Sequence, residues 1–148
     1  MDRRSRVGAR KAWLVTRLRP TLIGLRDAWI GDDPEVSRLV DRSRVLERME
    51  LFLKRLPGFY LTGLVFGIWI FDWISPIEIG RLPPFRKLRQ PDRERCLDRW
   101  AHARLGLKRL VFMGIKFVTA SQIYTEPALL ESLGYGPALR DRKEGRCQ

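Results

Sequence analysis

The sequence predicts an all-α protein, and three observations predict it. Apolar residues recur at intervals of three and four along most of the chain. The stretches are separated by helix-boundary chemistry: Gly31-Asp32-Asp33-Pro34, Pro57-Gly58 and Pro91-Asp92. No convincing strand alternation or hairpin signal occurs. The chain has 148 residues, 45% hydrophobic and 31% charged, which is the composition of one folded domain and not of a disordered segment. The expectation is a single compact bundle of five or six helices. It divides into a basic amphipathic N-terminal arm at 1–31, a helical domain at 32–137 and a polar tail at 138–148.

The arm places Leu14, Leu18, Leu22, Leu25 and Trp29 at helical spacing, with arginines on the other faces and Pro20 expected to kink or split the helix. It reads either as an interfacial membrane helix or as an arm packed on its own domain or a partner, and the packed arm is favoured. At the next break Asp33 is a cap and Pro34 suits the first turn, so a helix is predicted from there to about Arg55. Its apolar positions are Val36, Leu39, Val40, Leu46, Met49, Phe52 and Leu53.

A third helix covers 59–74. It is apolar on every face, so something must surround it. Pro76 is expected to stop it, and Phe85 and Leu88 to pin the irregular connection that follows. A fourth helix starts near Pro91-Asp92 with Leu97, Trp100, Ala101 and Leu105 as its buried stripe. Gly106 marks a kink or restart. Leu107, Leu110, Val111, Ile115 and Val118 carry the buried pattern towards Tyr124. A short helix at 126–133 ends at Gly134, a residue suited to a left-handed cap.

The net charge is +12, and it is unevenly spread. Residues 1–31 carry +6, residues 57–80 carry −2 and residues 81–110 carry +7. Two basic zones therefore flank an apolar middle, a field that favours nucleic acid, anionic lipid or an acidic protein. The arginines between Arg81 and Arg99 are dense enough for a phosphate-binding patch, but no nucleic-acid-binding motif accompanies them. Cys96 and Cys147 are the only cysteines, which fits a reducing compartment and no disulfide scaffold. Arg3-Arg4 is a twin arginine without a following apolar region, so no export signal is predicted.

Sequence chemistry of an autonomous enzyme is absent. His102 is the sole histidine, the cysteines have no metal-ligand spacing, and no phosphate-loop, dinucleotide, zinc-protease or nucleophile-elbow string occurs. No catalytic, cofactor-binding or metal-binding residue is therefore assigned.

The segment YLTGLVFGIWIFDW, Tyr60 to Trp73, is the most apolar stretch. About 20 apolar residues span a bilayer. Here Pro57 and Pro76 bound the helix, and Asp72 inside a bilayer would cost about 2.5–3.5 kcal/mol. Gly63 and Gly67 form a GxxxG that lets helices approach closely in membranes or in soluble bundles. The favoured reading is a core helix with one face covered by a partner or by a membrane surface. A span anchoring 56–77 is the alternative.

In order, RVLERMELFLKRLPGFY, the apolar helix, PPFRKLRQPDRERCLDRW with Phe85, Leu88 and Trp100, a helix containing Lys116, and IYTEPALLESLGYGP form a familiar series over about 40–137. The chain resembles the gluconate 2-dehydrogenase subunit 3 group and the N-terminal region of long-chain alcohol oxidases. These are small helical partners of glucose–methanol–choline type flavin dehydrogenases. The closest piece is Tyr124, Pro127, Leu133, Gly134, Tyr135, Gly136 and Pro137. Here Tyr135 and Gly136 are adjacent, where that group usually has one residue between them.

The resemblance implies a non-catalytic accessory subunit of an oxidoreductase complex, supporting stability, assembly or membrane association of a large chain. FAD and the catalytic base would belong to that chain and none to this one. Candidate partner contacts are Gly63, Gly67, Trp69, Trp73, Tyr124, Pro127, Gly134, Tyr135, Gly136 and Pro137. The expected location is cytoplasmic, or peripheral on the cytoplasmic face of the membrane.

Overall fold

The computed structural model describes residues 3–134, with side chains from residue 6 onward. Tyr135, Gly136, Pro137, the tail 138–148 and Cys147 lie outside the described residues. Seven α-helices and one 3-10 turn make up the described chain, with no strand among them. They are α1 (Arg3–Ile30), α2 (Pro34–Leu39), α3 (Arg42–Arg55), α4 (Gly58–Glu78), α5 (Gln90–Ala101), α6 (Gly106–Ile123) and α7 (Pro127–Ser132), with the 3-10 turn at Phe85–Lys87.

Helix α1 runs unbroken through Pro20. A proline inside a helix costs about 3 kcal/mol or more. Here Val15, Leu18, Leu22 and Leu25 are buried on both sides of it. Each contributes about 1.5–3 kcal/mol on burial, which outweighs the lost hydrogen bond and holds the two halves in line. The arm and the bundle share one core, because α1 packs on α3, α4, α5, α6 and the 3-10 turn. Gly24 allows the Phe85 ring to lie where a Cβ would meet it at 3.4 Å.

The predicted helix from Pro34 to Arg55 is two helices. Val40 turns extended (φ −109°, ψ 115°), and Asp41 caps α3 by accepting from the Ser43 and Arg44 N–H groups at 3.0 and 3.3 Å. A short carboxylate beside free donors competes with helix continuation. Asp33 caps α2 in the same way, accepting from Glu35 N at 2.8 Å. This split takes the helix number to seven. Arg42 on α3 donates to Asp27 on α1 at 3.1 Å and fixes the two helices across the break.

Helix α4 continues past Pro76 to Glu78, beyond its expected stop. Pro76 is buried, so packing outweighs the one hydrogen bond that its missing N–H removes. The chain leaves the helix at Gly80, whose φ of +76° suits glycine, while Arg81 N–H donates to Pro76 O at 2.9 Å. Phe85 and Leu88 then pin the connection into the core as expected. Phe71 lies between Phe85 and Trp100, with ring centroids at 4.8 and 5.0 Å, and Trp100 Nε1 donates to Glu78 at 2.8 Å.

The restart at Gly106 separates α5 from α6, and Gly134 has φ +82° after α7. The stripe predicted for this half of the chain is corrected in part. Leu97, Trp100, Ile115 and Val118 are buried, but Ala101, Leu105, Leu107 and Leu110 are exposed. Helix α6 carries apolar residues on two opposite faces, so spacing alone could not choose the inner one.

Candidate docking surface

Helices α4 and α6 pack closely and antiparallel, and glycine makes the approach possible. A Cβ on Gly67 would lie 3.2 Å from Val111 Cγ2, and one on Gly114 would lie 3.1 Å from Leu64 Cδ1. Both helices turn one face to the common core: Leu61, Ile68 and Phe71 from α4, and Phe112, Ile115 and Val118 from α6. Their outer faces consequently run side by side.

These outer faces are apolar too. On α4, Phe59, Phe66, Trp69, Trp73 and Ile77 recur at helical spacing and are exposed, Phe59 by 86% and Trp69 by 55%. On α6 the outer stripe is Leu110, Met113, Phe117 and Tyr124, with Leu107 exposed by 70% at its edge. Phe66 and Trp69 stack at 6.3 Å, and the Arg86 guanidinium lies 5.6 Å above Trp73. At a rise of 1.5 Å per residue the α4 stripe is about 30 Å long. Helix α4 is the one helix among the described residues long and apolar enough to cross a membrane, yet fewer than half of its most apolar window is buried in the fold.

Polar groups on this surface are mostly engaged. Thr62 Oγ1 donates to Gly58 O at 2.9 Å, and the Ser121 and Thr125 hydroxyls donate to carbonyls of their own helical turn. Asp72, the one acid in the apolar stretch, points inward and is 1% exposed. It accepts from the Arg86 backbone N–H at 3.1 Å and from Arg86 Nη1 at 2.6 Å. Burial pushes its carboxyl above the ordinary carboxylate range, against the lowering effects of Arg86 and Thr21.

The charge flanking the surface is predominantly basic, with Asp98 exposed beside Arg99 and Glu78 on α4 as the nearby acids. Residues 54–71 and 99–125 contain Lys54, Arg55, Arg99, Arg104, Lys108, Arg109 and Lys116 and not one Asp or Glu. Lys108 is paired with Glu78. The other six are exposed. In the basic zone at 81–99, Lys87, Arg89 and Arg99 are exposed, while other members are engaged. Arg86 is held by Asp72, Arg93 donates to Arg86 O at 2.9 Å, and Arg81 and Arg95 face Asp92 at 3.4 and 3.9 Å.

The candidate contacts from sequence fall into separate places. Trp69 and Trp73 lie on the outer α4 stripe, and Tyr124 ends the α6 stripe. Gly63 also faces outward, with nothing within 4 Å of a Cβ position, whereas Gly67 is buried against α6. The GxxxG is thus divided between the inside and the outside of the molecule. Pro127 and Gly134 sit on α7 and its exit, and α7 packs on α2. Sequence reasoning missed Phe59, Phe66, Leu107, Leu110, Met113 and Phe117 as surface residues. The available signal was the second apolar face of α6.

Among the described residues no three His, Cys, Asp or Glu side chains gather as a metal site. Cys96 is buried, and burial pushes its thiol up, with Ser75 opposing and Asp92 adding to the rise. Such a thiol is inert as a nucleophile. His102 is exposed, with Nδ1 at 2.9 Å from Asp98 O. The chain matches no protein-family model, no curated protein and no solved structure.

Proposed function

We propose that this chain is a non-catalytic accessory subunit that acts by docking. The observation that supports this reading is the α4/α6 face that the described residues leave uncovered: two adjacent helices, each exposing a stripe of large apolar side chains. A surface patch of this extent on a soluble domain marks an interaction site. The motif resemblance, which rests on the residues quoted above, supplies the complex: a large flavin-dependent dehydrogenase or oxidase of the glucose–methanol–choline type. FAD and the catalytic base lie in that large chain. This subunit supports its stability, assembly or membrane association, at a cytoplasmic or membrane-peripheral site.

The test is co-purification with a flavoprotein encoded beside this chain, read by yellow flavin absorbance and by dehydrogenase activity. The reading predicts a stoichiometric yellow complex, and a lower yield of the large chain when this subunit is omitted. A stable monomer that leaves the flavoprotein's activity and yield unchanged overturns it.

A further inference from the structure

We infer that the α4/α6 face seats the protein on an anionic lipid surface, with both helices lying along the membrane interface and not crossing it. The inference rests on the reading that this face is the working surface, and it names what covers it.

Charge chooses among the possible occupants. Bases outnumber acids around the exposed face: Lys54 and Arg55 ahead of α4, Arg99 and Arg104 ahead of α6, and Arg109 and Lys116 along α6, against exposed Asp98 and the Lys108-paired Glu78. A second copy of this chain would bring the same basic rim against itself, in a protein of net charge +12. Anionic headgroups complement it.

The chemistry of the face points the same way. A protein–protein interface carries about one hydrogen bond per 100–200 Å². Here Thr62, Ser121 and Thr125 have their hydroxyls on their own helix carbonyls. The remaining polar groups are mainly the ring N–H and O–H groups of Trp69, Trp73, Tyr60 and Tyr124, all exposed. Indole and phenol rings are the side chains that favour the boundary between headgroups and acyl chains. Crossing is opposed by the fold itself, because the inner face of α4 is committed to Phe85, Trp100 and the Asp72–Arg86 pair.

The experiment is vesicle flotation of the full chain with phosphatidylglycerol–phosphatidylcholine vesicles and with phosphatidylcholine alone. The expected result is flotation with the anionic vesicles, a blue shift of tryptophan emission, and weaker binding to the neutral ones. The double variant Phe66→Gln/Trp69→Gln removes two exposed rings and is expected to bind at least about tenfold more weakly. Its helical circular dichroism should be unchanged. Arg104→Gln and Arg109→Gln are each expected to weaken anionic-vesicle binding about fivefold, and high salt to weaken it further.

Failure of the wild-type chain to float with anionic vesicles overturns the inference, as does undiminished binding by the folded double variant. A wild-type dimer in solution that the double variant dissolves would also overturn it. Co-purification of the flavoprotein with the same double variant separates the two readings. A yellow complex retained while vesicle binding is lost supports both. A yellow complex lost, with a wild-type chain that ignores vesicles, puts the large chain on this face and overturns only the lipid assignment. A wild-type chain that binds neither overturns both.

Discussion

The inner and outer faces of α4 are built from the same residue types and have opposite fates. Phe71, on the inner face, is fully buried between Phe85 and Trp100. Phe66, five residues earlier, is 59% exposed and its ring stacks with Trp69. Gly67 is closed over by Val111, while Gly63 faces open space. Hydropathy reports how strongly a side chain avoids water, not which neighbour removes it from water. Among the described residues, only one side of this helix is covered by its own fold.

The largest effect that can break this comparison is at the two phenylalanines. Phe71→Ala should lose about 3–5 kcal/mol of stability by urea denaturation, because it empties an aromatic cluster. Phe66→Ala should change stability by less than about 0.5 kcal/mol. Equal losses would mean that the outer face is covered within the folded chain.

The glycines give the next contrast. Gly67→Val forces a branched side chain onto Val111 and should cost about 1–3 kcal/mol. Gly63→Ala should stabilise by about 0.5–1 kcal/mol, since a helical glycine is replaced where there is room. Thermal melts of the two variants should move in opposite directions.

The smallest effect is the pH dependence of Asp72. Its folded carboxyl holds its proton to higher pH than the unfolded one, whose ordinary value is 3.8. In the window above that value the native state binds more protons than the unfolded state, so this group's contribution to stability falls as pH rises. The stability of Asp72→Asn relative to wild type should therefore improve from acid towards neutral pH. A difference that moves the other way would mean that Arg86 outweighs burial.

Much of the architecture was legible. Asp33-Pro34, Pro57-Gly58, Gly106 and Gly134 mark element ends because their boundary chemistry is local. Phe85 and Leu88 could be read as pins because large apolar residues in a proline-rich connection have few other places to go. Three local rules were overridden. Pro20 and Pro76 sit inside continuous helices because buried neighbours outweigh one lost hydrogen bond each. The Asp41 cap divides a stretch whose apolar spacing reads as one helix. The candidate surface was half legible. Trp69, Trp73 and Tyr124 were named, but Leu107 and Leu110 were assigned to the buried pattern and Met113 and Phe117 to neither face, since the two apolar faces of α6 are indistinguishable in one dimension.

The sequence by itself determined the helical class, most of the boundaries, the basic balance and the absence of recognisable catalytic motifs. These follow from spacing, backbone chemistry and composition, all of which act within a few residues. Only the tertiary structure decided which face of α4 and α6 is inside. That choice depends on where α1, Phe85 and Trp100 come to lie, and a helix apolar all round can offer either side to them. Packing sent Gly67 and Asp72 inward and left Gly63, Phe66 and Trp69 facing out.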